Sequence, residues 1–142
     1  MARYRSVYMQ FWTDNKIIEE YTVNDRFFYL YLLTNPRTSL CGCYEISKKQ
    51  AILETGLTIA EIDETLDRLE NLHGVVRYSP ETREVLLVNW YKYNWTTSGK
   101  TGIGVLKGIN NVKNEEFKTY LQDIFDIVYE ADAPCHIYTP CM

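Results

Sequence analysis

The stretch TIAEIDETLDRLENLHGVVRYSPETREVLLVNW, Thr58–Trp90, reads as one amphipathic helix followed by two short strands. Thr58-Ile59-Ala60-Glu61 has Ser/Thr–x–x–Glu spacing. The Thr58 hydroxyl can therefore accept from the Glu61 N–H while the Glu61 carboxylate accepts from the N–H of Thr58. Ile59, Ile62, Leu66, Leu69 and Leu72 recur at steps of three and four, which places them on one helix face. Gly74 can take the left-handed conformation that ends the helix. Val75 to Tyr78 and Val85 to Trp90 are expected as strands, joined by Ser79-Pro80-Glu81-Thr82-Arg83 as a turn.

Upstream, Tyr4 to Trp12 is an aromatic-rich arm, and Thr13-Asp14 can cap a short helix through Glu20. Thr22 opens the next helix, with Asp25 as a shorter stand-in for the capping-box glutamate. Phe27 to Leu33 is apolar or aromatic on every face, so this helix is expected at the centre of the core. Asn35-Pro36 stops it, because the residue before proline is driven out of helical geometry. Ser39 to Ile46 has room for one short strand, and a helix from Ser47 runs to Thr55-Gly56. Downstream, Thr96 to Gly104 is polar and glycine-rich and reads as a linker. Residues 105–131 return to helical spacing, with an apolar stripe from Val105 to Val128 weakened at Gly108 and Asn110-Asn111. The tail 132–142, with Pro134 and Pro140, is expected to be irregular.

Composition bounds the function. With 142 residues and 46% hydrophobic content, the chain is expected to hold one globular domain (residues 1–95) and a helical extension. Twelve tyrosines imply a broad amphipathic surface. The net charge of −4 argues against binding polyanions by bulk charge. No apolar run reaches the roughly 20 residues of a membrane span, and the N-terminus, with Arg3 and Arg5 among aromatics, shows no apolar signal-peptide core. The expectation is a cytoplasmic chain with Cys41, Cys43, Cys135 and Cys141 reduced.

Helix, short strand, helix, tight turn at Gly56–Thr58, helix and hairpin form the element order of a winged helix-turn-helix. The fold class expected is therefore mainly α with a small β-hairpin, a winged helix carrying a C-terminal helical extension. YRSVYMQFWTDNKI, FFYLYLLTNP, CGCYEISKKQ and VLLVNWYKYNW together resemble the N-terminal domain of phage replisome organisers, the DnaD-like replication proteins of Gram-positive bacteria and their phages. The resemblance covers about residues 3–131. It implies a non-enzymatic winged helix engaged in oligomerisation and in contacts with DNA or other replication proteins. In that family a second, C-terminal domain usually contributes DNA binding; no counterpart is read in these residues.

In a helix-turn-helix the second helix normally enters the major groove. Here it offers Glu61, Asp63, Glu64, Asp67 and Glu70 against Arg68 alone, a face that repels duplex phosphate. Two readings remain for that face: a solvated surface, or a surface for a basic partner protein. Positive charge lies elsewhere, at Lys48 and Lys49, at Arg77 and Arg83 on the hairpin, and at Lys92 and Lys100 beyond it. If these converge they can grip phosphates weakly while Tyr91 and Tyr93 stack on bases, the pattern used for single strands. Trp90 and Trp95 are expected in the core beneath the hairpin. Tyr4, Tyr8 and Phe11, with Glu61, Glu64 and Asp67, are the candidate contacts to partner proteins, and the aromatic arm and late helix suggest a homo-oligomer. The rival to DNA association is a pure protein-interaction scaffold.

Other chemistry is set aside. Cys41-Gly42-Cys43 has a one-residue gap instead of the usual zinc spacing, and Cys135, His136 and Cys141 lie on the tail. Gly99-Lys100-Thr101 echoes a P-loop, but Asn94 stands where the motif requires glycine. His73 closes a helix, where it favours the negative end of the dipole. No cofactor, metal or catalytic residue is expected.

Overall fold

The computed structural model describes residues 3–96 and 99–129. The chain is mainly helical around a small antiparallel sheet: α1 Asn15–Glu20, α2 Val23–Thr34, β1 Cys43–Glu45, α3 Lys48–Thr55, α4 Ile59–Asp67, β2 Val76–Ser79, β3 Glu84–Leu87, α5 Trp90–Asn94, α6 Gly99–Asn110 and α7 Glu115–Val128. A 3-10 turn, Met9–Phe11, precedes α1.

Capping sets the helix starts. Asp14 caps α1, Ser47 caps α3, and Asn114 caps α7. Thr22 with Asp25 and Thr58 with Glu61 both form complete capping boxes. Gly56 ends α3 at φ 79°, a left-handed value that costs glycine nothing.

The three strands lie in the order β1-β3-β2. Cys43 and Arg77 flank Leu86, while Tyr44 and Tyr78 flank Val85, so each triplet shares one face. On the Val85 face the Tyr44 hydroxyl donates to Leu32 O of α2 at 2.7 Å and Lys48 of α3 covers the Tyr78 ring. On the Leu86 face Arg77 covers Phe117 of α7, and Glu84 accepts from the backbone of Lys113 and Asn114. The sheet is thus a middle layer between α2–α3–α4 and α6–α7. All four residues of β3 are buried, as a strand covered on both faces requires.

Four expectations need correction. The long helix from Thr58 regularises only to Asp67; Arg68–Leu72 is a π turn closed by His73 N–H donating to Arg68 O at 2.8 Å. That wider turn buries Leu69 but leaves Leu72 62% exposed, and Ile59 at the other end is 47% exposed. α2 buries Phe28 and Leu32 but leaves Val23 and Phe27 exposed, so it is not surrounded by core. The strand expected through Trp90 stops at Leu87, and Trp90 opens α5. Trp90 and Trp95, five apart, would face opposite sides of a strand. The helical turn brings both indole N–H groups to the Leu40 carbonyl instead, at 3.0 and 3.1 Å.

The fourth correction concerns the linker at 96–104, where α6 already begins at Gly99. Its glycines are poor helix formers, but Gly104 and Gly108 give α6 close approach to the 40–41 segment. A Cβ on Gly104 would sit 2.6 Å from Leu40, and one on Gly108 3.1 Å from Cys41 Sγ. The tail from 130, with Cys135, His136 and Cys141, lies outside the described residues.

Candidate nucleic-acid surface and the cavity under the arm

The predicted cations divide into those used by the fold and those left to solvent. Lys48 Nζ lies 2.7 Å from Asp63 of α4, and Arg77 pairs with Glu116 of α7 at 2.7 Å. Both also cover aromatic rings, so neither is a free phosphate ligand. Arg5 is likewise engaged, donating to Thr38 Oγ1 and Thr38 O and covering the Trp90 ring. Among the described residues no ion pair involves Lys49, Arg83, Lys92 or Lys100.

These four do not form one patch. Arg83 sits at the hairpin tip with φ 58°, beside the start of α3, where its carbonyl accepts from Ile46 N–H at 2.9 Å. Lys49 belongs to that same end. Lys92 lies beyond the far end of β3, on α5, and Lys100 is in the first turn of α6, the next helix along the chain. A hydrogen bond between the Thr96 and Thr101 hydroxyls, 2.9 Å, ties that corner. Tyr91 leans edge-on against Trp95, and Lys92 Nζ stands 6.0 Å from the Tyr91 ring. Tyr93 meets Tyr8 of the arm edge-on at 4.8 Å. Tyr91 and Lys92 are half-buried, Tyr93 is 36% exposed, and Trp90 and Trp95 are in the core as expected.

The predicted partner contacts also divide. Tyr4 is 84% exposed, but Phe11 is buried against Tyr29 and Trp12 and offers no surface. Glu61 is held by its capping box and by Asn24, and those contacts keep its carboxyl below the usual carboxylate range. Glu64 and Asp67 are exposed on α4, with Asp67 accepting from Asn71. The α7 stripe of Phe117, Leu121 and Val128 is buried within the chain, which removes it as an interface between copies.

A second feature was not legible as a site. The arm, α1, α2, the loop after the π turn and α5 line a partly open cavity of about 270 Å³. Its lining includes His73, expected only as a helix-closing residue, which is buried. His73 stacks on Tyr21 with ring centroids 4.0 Å apart, and its Nε2 lies 3.1 Å from Asp25 Oδ2. Asp25 Oδ1 accepts from Arg68 Nε at 2.8 Å, and its Oδ2 also accepts from Thr22 N–H. Burial alone would raise the Asp25 pKa, but the hydrogen bonds from Arg68, Thr22 and His73 outweigh it and hold the carboxyl below its ordinary value. Burial pushes Tyr21 up to about 12, with Asp14, Asp25 and Glu20 adding to the shift, and drives Tyr29 higher still. Cys41 and Cys43 are buried thiols whose pKa values burial raises, which disfavours the thiolate form.

Among the described residues no group of His, Cys, Asp and Glu could hold a metal ion, and no helix is long and apolar enough to cross a membrane. Comparison with family models, curated proteins and solved structures returned no match.

Proposed function

We propose that the chain is a winged-helix module of the replisome-organiser type, non-enzymatic, acting in DNA replication through weak contacts with single-stranded DNA and with itself. The order α2–β1–α3–α4–β2–β3 and the strand order β1-β3-β2 support the winged-helix reading, with Gly56–Thr58 as the turn between α3 and α4. The observation that carries the DNA reading is the α5–α6 corner. There α5 carries Lys92, whose Nζ lies over the Tyr91 ring, and Tyr93, edge-on to the arm's Tyr8, and α6 opens with Lys100; among the described residues neither lysine is in an ion pair. Cations beside stackable rings suit a flexible strand. The carboxylates of α4 oppose insertion into a duplex groove.

Self-association would use the exposed Tyr4, Met9 and Trp12 of the arm. A second reading, a protein-interaction scaffold, is favoured by α4 itself. Glu64 and Asp67 are exposed there, with Ile59 and Leu72 at the two ends of the same segment, a mixture suited to a basic, partly apolar partner.

The test is fluorescence anisotropy of labelled single- and double-stranded oligonucleotides with the full chain. The single strand should bind more tightly, and Lys92→Ala/Lys100→Ala should abolish the difference. No binding of either at low salt overturns the DNA reading and leaves the scaffold.

A further inference from the structure

The chain has a net charge of −4, yet from Val85 to Asn114 it holds Lys92, Lys100, Lys107 and Lys113 and no carboxylate side chain. α6 lies within that stretch. One side of it is pressed onto the fold: Val105 and Ile109 are fully buried, Gly104 and Gly108 lie against Leu40 and Cys41, and Gly102 lies against the Tyr129 ring. Lys100, Ile103, Lys107 and Asn110 are all exposed. Their spacing of three and four puts them in one row, on the face turned away from Val105 and Ile109. Among the described residues neither Lys100 nor Lys107 is in an ion pair, whereas Lys113 is paired with Glu45 at 3.0 Å.

α7 returns antiparallel to α6: Lys118 near its start donates to Asn110 O, and Tyr129 past its end meets Gly102. It carries the exposed carboxylates Asp123 and Asp126, so the attractive surface is no wider than α6 itself. A surface of that width suits one strand better than a duplex. With a rise of 1.5 Å per residue, Lys100 and Lys107 stand about 10 Å apart along the helix axis. A stacked strand carries one phosphate per ~3.4 Å, so the row spans about three nucleotides.

We propose that α6 is a track for a single nucleic-acid strand, which runs along the helix past Ile103 with its phosphates on Lys100 and Lys107. This rests on the single-strand reading above and adds to it a surface, Ile103 and Lys107, that the α5–α6 corner does not include.

The experiment is anisotropy of labelled oligo-dT with the full chain across a salt series. Lys107→Ala should lower the slope of log affinity against log salt by about 0.7, the share of one phosphate contact on a single strand. Ile103→Lys sets a third cation in the row and should raise the slope by about 0.7. Lys49→Ala removes an exposed, unpaired charge from α3 and should leave the slope unchanged. All three positions face solvent, and alanine is the best helix former, so folding is not at stake. An unchanged slope in Lys107→Ala overturns the track; if Lys92→Ala/Lys100→Ala still lowers it, the corner reading stands alone. An equal loss in Lys49→Ala means attraction by bulk charge and also overturns the track. No binding of oligo-dT by the wild-type chain at low salt overturns the track and the single-strand reading together. Sedimentation of that chain with phosphatidylserine vesicles would then assign the row to a membrane surface.

Discussion

Asp25 is the residue on which the most separate parts of the molecule converge. It completes the α2 capping box, receives Arg68 from the π turn and fixes His73 at the cavity wall, all while fully buried. Asp25→Ala would strand these partners and should lower the urea unfolding free energy by about 3 kcal/mol. Its depressed pKa also sets a direction with pH. The folded value lies below the ordinary 3.8, so the unfolded chain takes up the proton first. The stabilisation is therefore present above that ordinary value and disappears as pH falls through the lower, folded one. Melting followed by circular dichroism should show a flatter acid limb in Asp25→Asn than in the wild type. Glycine makes a parallel comparison. Gly56→Ala meets only the left-handed φ and should cost about 1–2 kcal/mol. Gly42→Ala meets a φ of 86° and also places Cβ 2.6 Å from the Trp90 ring, so it should cost clearly more. Equal unfolding midpoints for the two variants would contradict the packing described for Trp90.

At the scale of elements, the join between the sheet and α6–α7 depends on Glu84. Its carboxylate, 2% exposed, accepts from Lys113 and Asn114 N–H at 2.9 and 2.8 Å and from the Thr82 hydroxyl. Glu84→Ala leaves two backbone donors unpaired at the α6–α7 turn and should cost about 2–3 kcal/mol. Amide exchange should accelerate in α7 more than in α2; uniform acceleration would refute a local join. The same contacts explain which elements were legible in the sequence. The starts at Asp14, Thr22, Ser47 and Thr58 are local signals, each settled within four residues, and all of them cap as read. α5 and the first turns of α6 were not legible, because distant residues decide them. Trp90 and Trp95 turn toward the carbonyl of Leu40, and the Gly104 and Gly108 pattern makes sense only against Leu40 and Cys41. The functional residues follow the same rule. Lys48 and Arg77 looked free in sequence because their partners, Asp63 and Glu116, are distant along the chain. The pairing of His73 was not legible because Asp25 is 48 positions away.

For the whole molecule, tyrosine packing on both sides of the sheet predicts alkaline lability. Burial raises Tyr21, Tyr31 and Tyr129 to about 12, and Tyr44 further. The unfolded chain ionises these phenols near their ordinary value of 10.0 while the folded chain keeps them neutral, so stability should fall as pH rises above that value. A urea midpoint unchanged across that range would contradict it. Self-association should appear as a light-scattering mass above that of one chain at tens of micromolar, reduced by Trp12→Ala. The central claim, contact with single-stranded DNA at the α5–α6 corner, is tested most directly by anisotropy across a salt series. Each phosphate contact contributes a slope of about 0.7 in log affinity against log salt on single strands. Lys92→Ala/Lys100→Ala should therefore lower the slope by about 1.4, while Lys48→Ala/Arg77→Ala leaves it unchanged. An unchanged slope in the first pair, or no binding at low salt, would contradict the account.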